Sequence, residues 1–119
     1  MEKINLIEKF AQIPDHWNPR IAASLNGQHV KFVKLKGAFT WHSHEQEDEL
    51  FLVIDGSFDM EFRDRTVTVS KNEMLVVPKG VEHRPVAHEE ASVILFEPSS
   101  TLNTGNVHNE FTRQQLDQI

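Results

Sequence analysis

The chain of 119 residues contains no cysteine and no tyrosine, and it has no long apolar run. Without cysteine there can be neither disulfides nor thiolate metal sites, so any metal must be held by imidazole and carboxylate. The same absence fits a cytoplasmic location. The N-terminal "MEKINLIEKF" is too polar for a signal peptide or a membrane span. Basic residues are also in deficit: 12 Lys and Arg against 18 Asp and Glu leave a formal charge of −6, with no basic cluster to offer nucleic acid. What remains is an ordinary soluble composition with eight Phe and two Trp to build an apolar interior. The length fits one domain spanning 1–119.

Ile4, Ile7 and Phe10 recur at helical spacing, with Leu6 and Ala11 alongside, and Pro14 closes the segment. This predicts a short amphipathic helix over 2–13, followed by a turn-rich connection at 15–20. From Ile21 to Glu97 the texture is of short β-like runs: 21–25, 29–36, 39–42, 49–55, 57–62, 66–69, 74–77, 84–87 and 92–96. They are broken at "NG" (26–27), "KG" (36–37), "DG" (55–56), "RD" (63–64), "KN" (71–72) and "PKG" (78–80). Many short strands without intervening helices imply an all-β protein, an antiparallel sandwich or closed barrel with its core over about 21–97. The tail, 98–119, reads as a loop at "SSTLNTGN" and a last turn or two of helix in "NEFTRQQLDQI", partly mobile.

The residues that carry chemistry gather around "WHSHEQEDE" (41–49). In an extended chain His42 and His44 share a face, and Trp41 and Ser43 take the other. In the next strand Glu49, Phe51 and Val53 alternate with Leu50, Leu52 and Ile54; both faces are apolar, so the strand is central. Glu49 stands at its entrance, where a buried carboxylate is costly unless paired or coordinated. His-x-His in a polar run is by itself more often a solvated loop, and Glu45, Glu47 and Asp48 read as such. A second element, "VVPKGVEHRPVA" (76–87), ends a strand, turns at Pro78–Gly80 and aims His83 back across the sheet. Together these make a His₃Glu set.

The stretch from Gly37 to Gly56, "GAFTWHSHEQEDELFLVIDG", resembles the first cupin motif, and "PKGVEH" (78–83) resembles the second. The resemblance implies a small double-stranded β-helix (jelly-roll) barrel with a short N-terminal helix, often a homodimer. It also implies His42, His44, Glu49 and His83 as metal ligands. Four residues separate Gly37 from His42, where five are usual; Asn72 stands where Gly is usual, and Ala87 where Asn is frequent. None of these positions is a presumed ligand, and Asn tolerates positive φ best after Gly.

Three imidazoles and a carboxylate suit divalent Fe, Mn, Ni, Co or Zn and leave one or two positions open for water or substrate. Small chains of this kind look like mannose-6-phosphate isomerase-related cupins, which points to isomerase- or dioxygenase-type chemistry on a small molecule. The alternative is a non-catalytic module that binds a metal or small molecule without turnover. Phe51, Val53, Phe58, Met60 and Phe62 are candidates to line the pocket, and core packing is the competing role. Lys34 and Lys36 are the best phosphate-binding candidates. His16, His29, His88 and His108 lack partners at ligand spacing; Asn103, Thr104 and Asn106 could reach a barrel mouth, and a capped loop explains them as well.

Overall fold

The computed structural model describes residues 1–119. Its elements are α1 (Leu6–Ala11), β1 (Arg20–Leu25), β2 (Gln28–Ala38), β3 (Glu49–Asp55), β4 (Ser57–Phe62), β5 (Thr66–Ser70), β6 (Met74–Val77) and β7 (His83–Pro98). Every ladder is antiparallel. The protein is therefore all-β with one short helix, and that helix is not long and apolar enough to cross a membrane.

The strands are ordered β1-β2-β7-β3-β6, and β4 pairs with both β5 and β7. Strand β7 thus touches β2, β3 and β4. Its first residues pair with β4 and the end of β2, and its last residues pair with the start of β2 and with β3. Between those halves, Leu35 faces Ala91 and Gly37 faces Ala87, so Lys36 alone spans the three exposed residues His88, Glu89 and Glu90. Such a bulge bends one strand and lets it serve both sides of the barrel. The polar triple suggested a break between two strands, 84–87 and 92–96; it is instead a bend within one.

Alternation decides what each strand buries. On β2, Lys31, Val33 and Leu35 point inward and Lys34 outward; on β3 the inward set is Glu49, Phe51 and Val53. Of these, Val33, Leu35, Phe51 and Val53 join Phe58, Met60 and Val93 in the main core. A smaller cluster forms where Phe10 of α1 stacks on Phe32 from the opposite face of β2, ring centroids 4.8 Å apart.

The helix is shorter than its apolar spacing suggests. The side chain of Asn5 accepts from the Glu8 amide and caps the first turn, which leaves residues 2–4 outside, and Ile7 is 82% exposed. Residues 39–42 form no strand beyond one bridge between His42 and His83. The tail contains no helix either. It is anchored by the bridge of Gln118 to Ile21 and by Phe111, whose ring lies 5.0 Å from that of Phe39.

Candidate metal centre

Each histidine of the predicted set is placed by a local backbone device. His42 and His83 exchange both backbone hydrogen bonds, at 3.1 and 2.9 Å, so one bridge fixes two imidazoles side by side. The chain between His44 and Glu49 is tied to the "PKG" turn: the Gly80 amide donates to the His44 carbonyl at 2.7 Å and the Lys79 amide to Asp48 at 2.8 Å. Asp48, expected to be merely solvated, therefore joins the two motifs, and Glu47 likewise accepts from Ser100. Glu49 then enters β3 pointing inward, paired in register with Val77.

The result is a buried cluster of His42, His44, Glu49 and His83, whose potential ligand atoms all lie within 4.8 Å of one another. Nδ1 of His42 faces the Thr40 carbonyl and Nδ1 of His83 the Val81 carbonyl, each at 2.9 Å. A carbonyl can only accept, so Nδ1 carries the proton in both rings and Nε2 keeps its lone pair. His44 is different. Its Nε2 lies 2.9 Å from Glu49 Oε1 but is not aligned for a hydrogen bond, and both its ring nitrogens are buried without a partner. His83 Nε2 reaches the same oxygen at 3.1 Å. Lone pairs converging on one point, with an unpartnered imidazole among them, fit a cation better than a network of hydrogen bonds.

Electrostatics agree with this. Burial, with some help from the neighbouring His83, lowers the pKa of His42 to about 4, so the ring stays neutral and able to donate its lone pair. Burial alone would raise Glu49, but positive charge on the adjoining His44 and His83 in the metal-free protein outweighs that and holds it well below the usual carboxylate range, a role that a bound cation would take over. A histidine with a depressed folded pKa contributes stability above its unfolded value, near 6.5, and that stability is lost as pH falls toward the folded value of about 4. The metal-free protein is therefore expected to lose about 2 kcal/mol through His42 between pH 6.5 and 5. Glu49 is a depressed carboxylate, so its contribution is lost only at lower pH. Urea unfolding at pH 7 and 5 checks this, because His42→Gln should be less pH-sensitive by that amount; an unchanged difference would contradict it.

A cavity opens beside the cluster. His42 and Glu49 stand on its wall with Trp17, Phe39 and Phe51, and about 40 Å³ of it is open to the centre of a water molecule. Of the pocket residues expected from sequence, Phe51 lies on this wall, whereas Val53, Phe58 and Met60 are packed in the core and Phe62 lies against it. Val53 is one inward step deeper than Phe51 on β3, and Phe58 and Met60 of β4 pack into the core, the Phe58 ring 5.8 Å from that of Phe51. Lys34 does not reach the cavity but donates to the Ile13 carbonyl at 3.0 Å and meets Glu90, and Lys36 is exposed.

Several wall residues escaped the sequence reading. Lys31 and Glu97 line the cavity as a buried ion pair, with Nζ 2.9 Å from Oε2. The signal was present, since Lys31 shares the parity of Val33 and Leu35, and Glu97 that of Val93 and Leu95. Burial, reinforced by the charge of Glu49 and opposed by Lys31, pushes Glu97 well above the usual carboxylate range. Trp17, in what reads as a turn, stacks on Phe39 at 4.7 Å and donates its indole N–H to the Lys36 carbonyl at 2.8 Å. Asn103 reaches the cavity from the tail, whereas Thr104 is spent within the loop on the Val107 carbonyl and Thr112. Asn106 exchanges bonds with Ser43, donating to its carbonyl and accepting from its amide at 3.0 and 2.9 Å.

Residues 30–97 match the cupin domain family. A cupin-2 domain protein from Shewanella frigidimarina NCIMB 400 is 44% identical, with a TM-score of 0.79 over 80% of this chain and 93% of its own. Protein NMB1881 from Neisseria meningitidis is 36% identical, with a TM-score of 0.76 over 82% of this chain and all of its own. YdbB of Bacillus subtilis is 31% identical over 86 residues, 63% of this chain and 76% of YdbB.

Proposed function

The chain belongs to the cupin domain family, and from that premise we propose that it is a metalloprotein acting on a small molecule. In this reading His42, His44, Glu49 and His83 hold one divalent transition ion: iron, manganese, nickel, cobalt or zinc. The observation that carries it is the convergence of four buried ligand atoms within 4.8 Å beside a cavity. A bound ion would supply Lewis acidity toward an oxygen of the small molecule, and the ligand set suits isomerase- or dioxygenase-type chemistry. The protein's own residues do the rest. The Thr40 and Val81 carbonyls orient two imidazoles, and Phe39, Phe51 and Trp17 keep bulk water from the cavity. A phosphorylated sugar is the less favoured substrate, because neither Lys34 nor Lys36 faces the cavity and Lys31, which does, is already paired with Glu97.

A second reading, binding without turnover, draws support from the small cavity and from the tail folded against its mouth. Half-buried Leu50, Leu52 and Ile54 lie beside exposed Met74 and Val76 on edge strand β6, which supports a homodimer through this face. The lack of cysteine supports a reducing, cytoplasmic setting.

Elemental analysis of protein purified without added metal tests the proposal. About one equivalent of a transition ion per chain is expected, and no ion under several growth conditions would sink it. Oxygen uptake and sugar isomerisation by the loaded protein then separate enzyme from binder.

A further inference from the structure

The cavity has a second polar pole to which the metal reading assigns no task. Lys31 of β2 and Glu97 of β7 lie diagonally across one ladder, since Lys31 faces Leu95 and Glu97 faces His29. They are 2% and 1% exposed, and both line the same cavity as His42 and Glu49. Lys31 Nζ is 2.9 Å from Glu97 Oε2 and 3.5 Å from the Thr101 carbonyl. Glu97 Oε1 is buried and has no partner. A buried ion pair is a poor stabiliser, often replaceable by apolar residues without loss, and a buried oxygen left unpaired makes it poorer. Among apolar walls, a few unspent polar atoms are what fix the orientation of a ligand.

We propose that Lys31 and Glu97 are the specificity-determining anchor of this cavity, where Glu97 Oε1 pairs with the hydroxyl of a compact 2-hydroxycarboxylate whose carboxylate lies at the His42–Glu49 wall. This rests on the reading of His42, His44, Glu49 and His83 as a metal site. Three features select the ligand class. A hydroxyl both donates and accepts, so it satisfies Oε1 whether or not that oxygen carries a proton, whereas an ammonium group would be repelled by Lys31 and by the metal. A divalent ion together with Lys31 carries three positive charges against at most two negative ones on Glu49 and Glu97, so at least one is left for an anion to balance. The open volume of about 40 Å³ admits a few water-sized groups; Val33, Leu35 and Leu95 offer nothing to further polar substituents, and Asn103 is already bonded to Phe111 and Arg113.

The test uses cobalt(II)-loaded full-length protein and follows its visible absorption while glycolate, methoxyacetate or acetate is titrated in. Methoxyacetate keeps the carboxylate and the ether oxygen but cannot donate. Wild type is expected to bind glycolate at least tenfold more tightly than methoxyacetate or acetate, as a hydrogen bond to a charged group implies. In Lys31→Met/Glu97→Leu, which removes both charges together, the preference should fall within about threefold while cobalt stoichiometry and spectrum stay the same. If that variant does not fold, Glu97→Gln should reduce the preference by about threefold or more. Cobalt uptake with no preference in wild type, or a preference that survives these substitutions, overturns the anchor and leaves the metal site standing. No cobalt uptake by wild type overturns both.

Discussion

His83→Ala is expected to weaken transition-metal binding by roughly a hundred- to a thousandfold, as measured by competition with a chelator. A four-ligand site in a small domain is worth about 10–16 kcal/mol, so one donor in four accounts for about 3–4 kcal/mol, which converts to that factor. Alanine keeps the backbone bridge through which residue 83 positions His42, so the loss reports the missing imidazole and not a misplaced neighbour. The variant also leaves Glu49 with one fewer of the contacts that hold its charge in a buried position. The metal-free protein should therefore be less stable as well, by about 2–3 kcal/mol. His16→Ala is the matched control: His16 is partly exposed and meets only Glu90, at 3.5 Å, so its removal should change neither quantity. Equal metal affinity for His83→Ala and His16→Ala would remove His83 from the ligand set.

A comparably large effect is expected at a residue with no ligand atom of its own. Gly105 sits in the tail at φ +55°, and a Cβ built there would lie 2.1 Å from the Ser43 carbonyl oxygen and 3.2 Å from His44 Nδ1. Backbone cannot yield as a flexible side chain does, so either the tail lifts off or the segment bearing His44 shifts. Gly105→Ala should cost about 2–4 kcal/mol, from left-handed strain and overpacking together. It should also lower metal affinity about tenfold or more, in the range seen when a ligand's supporting contacts are disturbed. Gly27→Ala separates the two causes. Gly27 is also left-handed, at φ +75°, but has nothing within 4 Å of a built Cβ, so it should lose only about 1 kcal/mol and no metal affinity. Were Gly105→Ala to bind metal as tightly as wild type, the tail would not be what positions His44.

How much of this could be read from sequence depended on whether the signal was local. Period-two alternation correctly put Glu49, Phe51 and Val53 on the inner face of β3, and "PKGVEH" correctly placed a turn before His83. Asn72, where Gly is usual, has φ 70°, the conformation for which Asn is the best non-glycine choice. The failures were non-local. His88, Glu89 and Glu90 look like a turn, and only the pairing with β2 shows them to be a bulge. Lys31 is not legible as a wall residue, because a lysine on a strand is normally exposed and its partner is 66 residues away. The tail's order comes from Asn103, Thr104, Asn106 and Thr112 bonding across loops, a pattern with no periodicity to detect.

The reach of β7 bears on how the chain finds its shape. It follows β1 to β6 in chain order, yet it supplies a ladder to β2, β3 and β4. A ribosome that has released residues 1–82 has produced every strand except the one that joins them. β2 meanwhile carries an apolar edge, with Phe32, Val33 and Leu35 waiting for a partner. Closure must therefore be late and non-local, on the order of milliseconds to seconds rather than microseconds. In that interval the nascent chain, more than the finished protein, is the species at risk of pairing with its neighbours.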